Sequence, residues 1–294
     1  ITLDHAGLWT DTRYFIQAVR QLEGTGVELH KTRVPEQVLI PEWLGEQFGS
    51  DGIIAVDGLC TGVDFARSLP GTVVGVSDIL SLMWTDRPGI PCTPVFTVQT
   101  GETRASKLAW LRAFLRDRRC DGMLVTALDD IAWLLNVRAA DIEYNPLVIS
   151  YLLVTGDNAE WYVAKEGEDD PETSATMSIM ESEGVTVLPY AEIEQNLPGF
   201  AGRLFVDPGT LNWSLYEALV TGGVSLLEGA SPIGLRKAVK NDFEIAGMKE
   251  IHVRDGLAVE RFLYWLEKSV QSGREISEWD AAVKLGRLRS EIPE

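Results

Sequence analysis

Three histidines, three cysteines and 44 acidic residues are the side chains of this 294-residue sequence that could hold a metal or attack a bond. His5, His30 and His252 fall in a turn, at a strand end and in a helix, with no HExxH or Cys/His cluster around them, so no metal ligand is assigned. Cys60, Cys92 and Cys120 are odd in number and lie 32 and 28 residues apart. That spacing is neither a disulfide framework nor a CxxC knuckle and points to a reducing compartment. The acidic run EGEDDPE at 166 to 172 reads as a solvated loop. Gly24-Thr25-Gly26 precedes a strand rather than a helix, the reverse of the order that aims a helix N-terminus at a pyrophosphate, and reads as a turn. No phosphate-binding GxxxxGK loop and no GxSxG elbow occurs. Arg112, Arg116, Arg118 and Arg119 close a helix as a solvated end opposing its macrodipole. His252, lone beside an apolar stripe, reads as a packed or capping residue rather than a general base.

Those residues sit in a chain of 26 basic and 44 acidic side chains, net charge −18. Such a balance repels phosphate backbones and anionic lipid, which speaks against nucleic-acid and membrane partners. With 45% hydrophobic and 24% charged residues the composition is globular, and no window approaches the ~18 apolar residues of a membrane span. The start, ITLDHAGLWT, has neither a signal-peptide pattern nor a Met, so a fragment is expected.

The elements that must position these residues alternate between strand and helix. Residues 1 to 3 and 7 to 10 read as a hairpin around DHAG, and 12 to 22 as a helix carrying Phe15, Ile16, Val19 and Leu22 at helical spacing. Helices at 42 to 48 and 63 to 69 then alternate with strands at 52 to 56 and 72 to 76, and Ser77 is the expected cap of a helix at 78 to 84. DRPGIPCTP at 86 to 94 places three prolines in nine residues and reads as a linker. A second α/β series follows, with helices at 104 to 119, 129 to 135, 174 to 183 and 212 to 221. Its strands are expected at 122 to 126, 147 to 154, 160 to 164, 185 to 188, 203 to 206 and 223 to 227. Beyond Ser231-Pro232, residues 241 to 270 read as one long helix with a stripe of Ile245, Met248, Ile251, Ala258, Phe262, Leu266 and Val270. A second amphipathic helix spans 277 to 288. The fold class is therefore α/β, with domains at 1–90 and 91–232 and helices at 233–294 that begin a third.

Four strings go further: LWTDTRYFIQAVRQL (8 to 22), MWTDRPGIPCTPVF (83 to 96), VTALDDIAWLLNVRAADIEYNPLVISYLLV (125 to 154) and KAVKNDFEIAGMKEIHVRDGLAVERFLYWLEKSV (237 to 270). In order and spacing they resemble the cytosolic-type Xaa-Pro aminopeptidases, or aminopeptidase P, over nearly the whole chain. The resemblance implies two tandem creatinase-N-like domains, each a mixed sheet flanked by helices, followed by a truncated "pita-bread" catalytic domain. In the parent, two divalent metal ions, most often manganese, would be held by two Asp, one His and two Glu. They would activate a water that releases the N-terminal residue before proline. Nothing here matches those ligands, so this chain alone is expected to lack catalytic residues, metal ligands and activity.

The role the resemblance implies is to shape the active-site entrance and the oligomer, a cytoplasmic homodimer acting on peptides with proline at the second position. Entrance candidates are Trp9, Arg13 and Tyr14, since aromatic rings and a planar guanidinium suit peptide backbone and prolyl rings. Trp9 and Tyr14 also read as packing residues of the first domain. The alternative is a non-enzymatic module that binds a peptide or partner chain on a peptidase-derived scaffold.

Overall fold

A computed structural model describes residues 1–164 and 170–292. Its central feature is a six-stranded sheet in the order β10-β9-β8-β6-β11-β12. The strands are β6 (Gly122–Val125), β8 (Ser150–Thr155), β9 (Ala159–Val163), β10 (Val185–Pro189), β11 (Arg203–Val206) and β12 (Ser225–Glu228). β6–β8 and β8–β9 pair antiparallel and the other neighbours pair parallel. Strands covered on both faces become continuous apolar runs, and GMLV and SYLLVT are such runs. Alternation then divides them between two cores. Leu152, Val154, Trp161 and Val163 pack toward one layer with Leu108, Leu111 and Met180, whereas Leu153, Tyr162 and Leu204 pack toward the other with Leu215 and Leu219.

The first layer holds α4 (Arg104–Arg118), α5 (Leu128–Leu135) and α6 (Pro171–Ser182), and the second holds α7 (Ile193–Asn196) and α8 (Trp213–Thr221). Thr103, Asp170 and Asn212 cap α4, α6 and α8 by accepting from backbone N–H groups of the first turn. A short antiparallel pair, β5 (Phe96–Thr97) with β7 (Val137–Arg138), was not expected from the sequence. Arg112 is not a solvated helix end, because its Nε donates to the Thr155 carbonyl at the tip of β8. Of the acidic run at 166 to 172, residues 166 to 169 lie outside the described residues.

Before the sheet come β1 (Gly7–Thr10), α1 (Phe15–Leu22), β2 (Glu28–Lys31), α2 (Ile40–Phe48), β3 (Ile53–Asp57), α3 (Val63–Ser68) and β4 (Thr72–Val76). The expected hairpin is corrected: residues 1 to 3 form no strand, since Thr2 folds back on His5 through Thr2 N to His5 O, 2.7 Å, and His5 N to Thr2 Oγ1, 3.0 Å. β1 pairs instead with β2, in parallel, across the α1 crossover. β3 and β4 pair in parallel in the same way. These two ladders repeat the β9-α6-β10 and β11-α8-β12 units of the large sheet. The helix expected at 78 to 84 is a 3-10 turn at Ile79–Leu82, capped by Asp78 rather than Ser77.

After the sheet, α9 (Pro232–Ala238) is tied to α5: Lys237 Nζ lies 2.7 Å from Asp130 Oδ1, and Ser231 Oγ donates to Asp130 Oδ2 at 3.0 Å. α10 (Asp242–Gln271) opens on a capping box between Asn241 and Glu244, and α11 (Glu278–Ser290) folds back along it. The stripe on α10 divides. Ala258 is buried, but Ile245, Met248, Ile251 and Val270 are exposed.

Candidate functional site

Parallel pairing sets Gly7 opposite Glu28 and Trp9 opposite His30. Side chains of alternate residues share a strand face, so positions 7 and 9 stand beside 28 and 30. Trp43 of α2 closes over the same group, and the turn at Thr2 brings in His5. The Trp9 ring stacks on His30 with centroids 3.9 Å apart, His5 tilts against Trp43 at 4.5 Å, and Trp9 Nε1 donates to the Val38 carbonyl at 2.9 Å. Gly7 makes this convergence possible. A Cβ there would lie 2.6 Å from the Trp9 ring, 2.8 Å from His5 Nε2 and 2.9 Å from His30 Cδ2.

The two imidazoles therefore meet, Nε2 to Nε2, at 3.2 Å, and Glu28 Oε2 stands 3.6 Å from His5 Nδ1. Among the described residues this is the one group of three or more His, Cys, Asp or Glu with converging ligand atoms, one from each lying within 4.8 Å of the others. The sequence reading, which left His5 in a turn and His30 at a strand end, did not bring them together. The available signal was alternation, H-x-G-x-W at 5 to 9 and E-x-H at 28 to 30. Beside the group, a cavity of about 540 Å³ opens between β1 and β3, lined by Gly7, Trp9, Trp43, Leu44, Ile54 and Val56 among others.

The three entrance candidates are not brought together. Trp9 belongs to the aromatic group. Arg13 is exposed and forked onto Asp11, with Nε to Oδ1 at 3.0 Å and Nη2 to Oδ2 at 2.7 Å. That guanidinium holds the Asp11 carboxyl down to about 2. Tyr14 is exposed at the N-terminal boundary of α1 and makes no side-chain cap bond, with the Arg13 guanidinium 5.5 Å above its ring. His252 is exposed on α10, its Nδ1 2.7 Å from the Met248 carbonyl.

Two histidines and one glutamate do not fit the two-Asp, one-His, two-Glu pair of metals that the resemblance implies, so no hydrolytic step is assigned to this group. Burial elsewhere makes a second unusual centre. Lys107 Nζ, fully enclosed, donates to Trp133 O at 2.8 Å and Asn136 Oδ1 at 2.6 Å, and desolvation holds it down to about 8.

Comparison with known proteins agrees with this architecture. The family described as creatinase/prolidase N-terminal domain matches residues 86–244. Xaa-Pro aminopeptidase app-1 of Caenorhabditis elegans is 31% identical over 99% of this chain and 49% of its own length. A probable Xaa-Pro aminopeptidase P of Podospora anserina is 34% identical over 99% of this chain and 45% of its own. The crystal structure of the C. elegans X-prolyl aminopeptidase, described as a cytosolic enzyme with a di-nuclear active site, superposes with a TM-score of 0.86. That match has 30% identity and covers 99% of this chain and 49% of the other. The chain thus spans about half the length of the relatives it matches.

Proposed function

Because this chain belongs to the creatinase/prolidase N-terminal domain family, we propose that it is the N-terminal and middle portion of a metal-dependent aminopeptidase that removes an N-terminal residue preceding proline. The observation that carries this reading is the superposition of almost the whole chain on one half of the worm enzyme. In the parent this portion lies outside the metal centre, walls the entrance and supports a cytoplasmic homodimer. Residues 1–90 and 91–232 are its two α/β domains, and 233–294 open the catalytic domain. The two metal ions, manganese most readily, belong to that downstream half. Trp9, Arg13 and Tyr14 are the entrance candidates. The exposed Arg13–Asp11 fork and the Tyr14 ring are the two available to a peptide.

The experiment compares this chain with a protein carrying it fused to a relative's catalytic half. The chain alone, with manganese, is expected to release no N-terminal residue from a Xaa-Pro peptide, and the fusion is expected to release it. Turnover by the isolated chain would overturn the reading. In the fusion, Arg13→Ala should raise KM for oligopeptides by about 1.5- to 5-fold, the worth of one exposed charged contact.

A further inference from the structure

We propose that His5, Glu28 and His30 form a divalent-cation site of their own, best suited to zinc, at the rim of the cavity between β1 and β3. The proposal does not depend on the peptidase reading.

Ligand chemistry comes first. Two imidazoles and a carboxylate are the donor set that zinc takes in open three-ligand sites, whereas magnesium and calcium prefer oxygen alone. A tetrahedral ion at ~2.0–2.1 Å from each nitrogen separates its ligands by about 3.4 Å. The His5 and His30 Nε2 atoms are 3.2 Å apart. Glu28 is two-thirds exposed and already within 4.8 Å of the group, so its carboxylate closes on an ion by rotating its own side chain. Three protein ligands leave a fourth position for water.

The fold itself does not require these residues. When the β1–β2 ladder is aligned with β9–β10 on Trp9 and Trp161, Gly7 corresponds to Ala159, Glu28 to Val185 and His30 to Val187. The larger sheet fills the same register with apolar side chains, and Ala159, Trp161 and Val185 are fully buried. In the smaller ladder two of these positions carry ligand-forming groups, and a third carries the glycine that admits both imidazoles. The rings are also held in place, His30 by the Trp9 stack and His5 by Trp43, so little ordering remains to be done on binding.

The test uses the full chain, stripped with chelator and titrated with zinc chloride by calorimetry, then with cobalt(II) followed by visible absorption. One ion per chain is expected, with cobalt bands typical of low coordination number. Glu28→Gln and His30→Val, the latter installing the residue of the larger sheet, should each weaken zinc binding at least about tenfold. His252→Ala, which removes the one histidine outside the group, should leave it unchanged. Far-UV circular dichroism identifies folded variants, and the exposed Glu28→Gln decides the matter if His30→Val does not fold. The proposal is overturned if folded wild-type chain takes up no zinc, if binding survives Glu28→Gln at full strength, or if His252→Ala abolishes it.

Discussion

The indole of Trp9 lies 5° from parallel with the imidazole of His30, ring centroids 3.9 Å apart, while its Nε1 is fixed on the Val38 carbonyl. One side chain thus joins β1, β2 and the segment leading into α2. Trp9→Ala should cost about 2–3 kcal/mol in urea unfolding, below the usual ~3–5 for a tryptophan because this one is half-buried. Trp9→Phe keeps an aromatic ring and loses the hydrogen bond, so its cost should be about 1 kcal/mol. Equal midpoints for all three proteins would remove Trp9 from the framework of the site.

Gly7 is adjacent to three rings at once. Gly7→Ala should destabilise the chain by about 1–3 kcal/mol, the range of an overpacked interior, because Trp9, His5 and His30 must all yield to one methyl group. Histidine side-chain NMR resonances should move for His5 and His30 and not for His252. A neutral substitution with unmoved resonances would show that the rings have room to spare.

Lys107 gives a pH dependence of definite sign. The unfolded chain keeps its proton to about pH 10.4, whereas the folded chain releases it near 8. Between those values the unfolded state binds more protons, so folding stability rises with pH. The gain is about 2 kcal/mol between roughly pH 7.5 and 9.5. Lys107→Met should abolish this part of the slope. The measurement is the difference between the two proteins' urea midpoints across that range, and parallel curves would contradict it.

Lys237 joins α9 to α5 through Asp129 and the buried Asp130. Lys237→Met leaves Asp130, among the described residues, with the Ser231 hydroxyl as its side-chain partner, and should cost about 2 kcal/mol, less than a fully buried pair because Lys237 is partly exposed. Loss confined to low salt would instead mark a surface pair.

Phe243, Ile245, Met248 and Ile251 of α10 are large apolar side chains left exposed, and such side chains favour association with another surface. Self-association through residues 241 to 288 is expected, measured by light scattering as mass rising with concentration. A monomer at all concentrations with a protease-resistant α10 would rule this out.

Local chemistry made most of the α/β framework legible. The helices expected at 104 to 119, 129 to 135 and 212 to 221 and the strands expected at 122 to 126, 160 to 164 and 203 to 206 fall within about a residue of α4, α5, α8, β6, β9 and β11, because apolar periodicity depends on neighbours a few residues away. Caps were less legible, since Asp78 rather than Ser77 takes that role. Pairing between distant segments is not local. Residues 1 to 10 alternate well enough for a hairpin, yet the hydroxyl of Thr2 turns the chain and β1 takes β2 as its partner. Tertiary structure alone decided that His5, Glu28 and His30 share one face, because parallel register across a crossover helix sets which side chains meet. It also decided the buried state of Lys107, whose acceptors Trp133 and Asn136 lie 26 and 29 residues away and become partners only when α4 packs against α5.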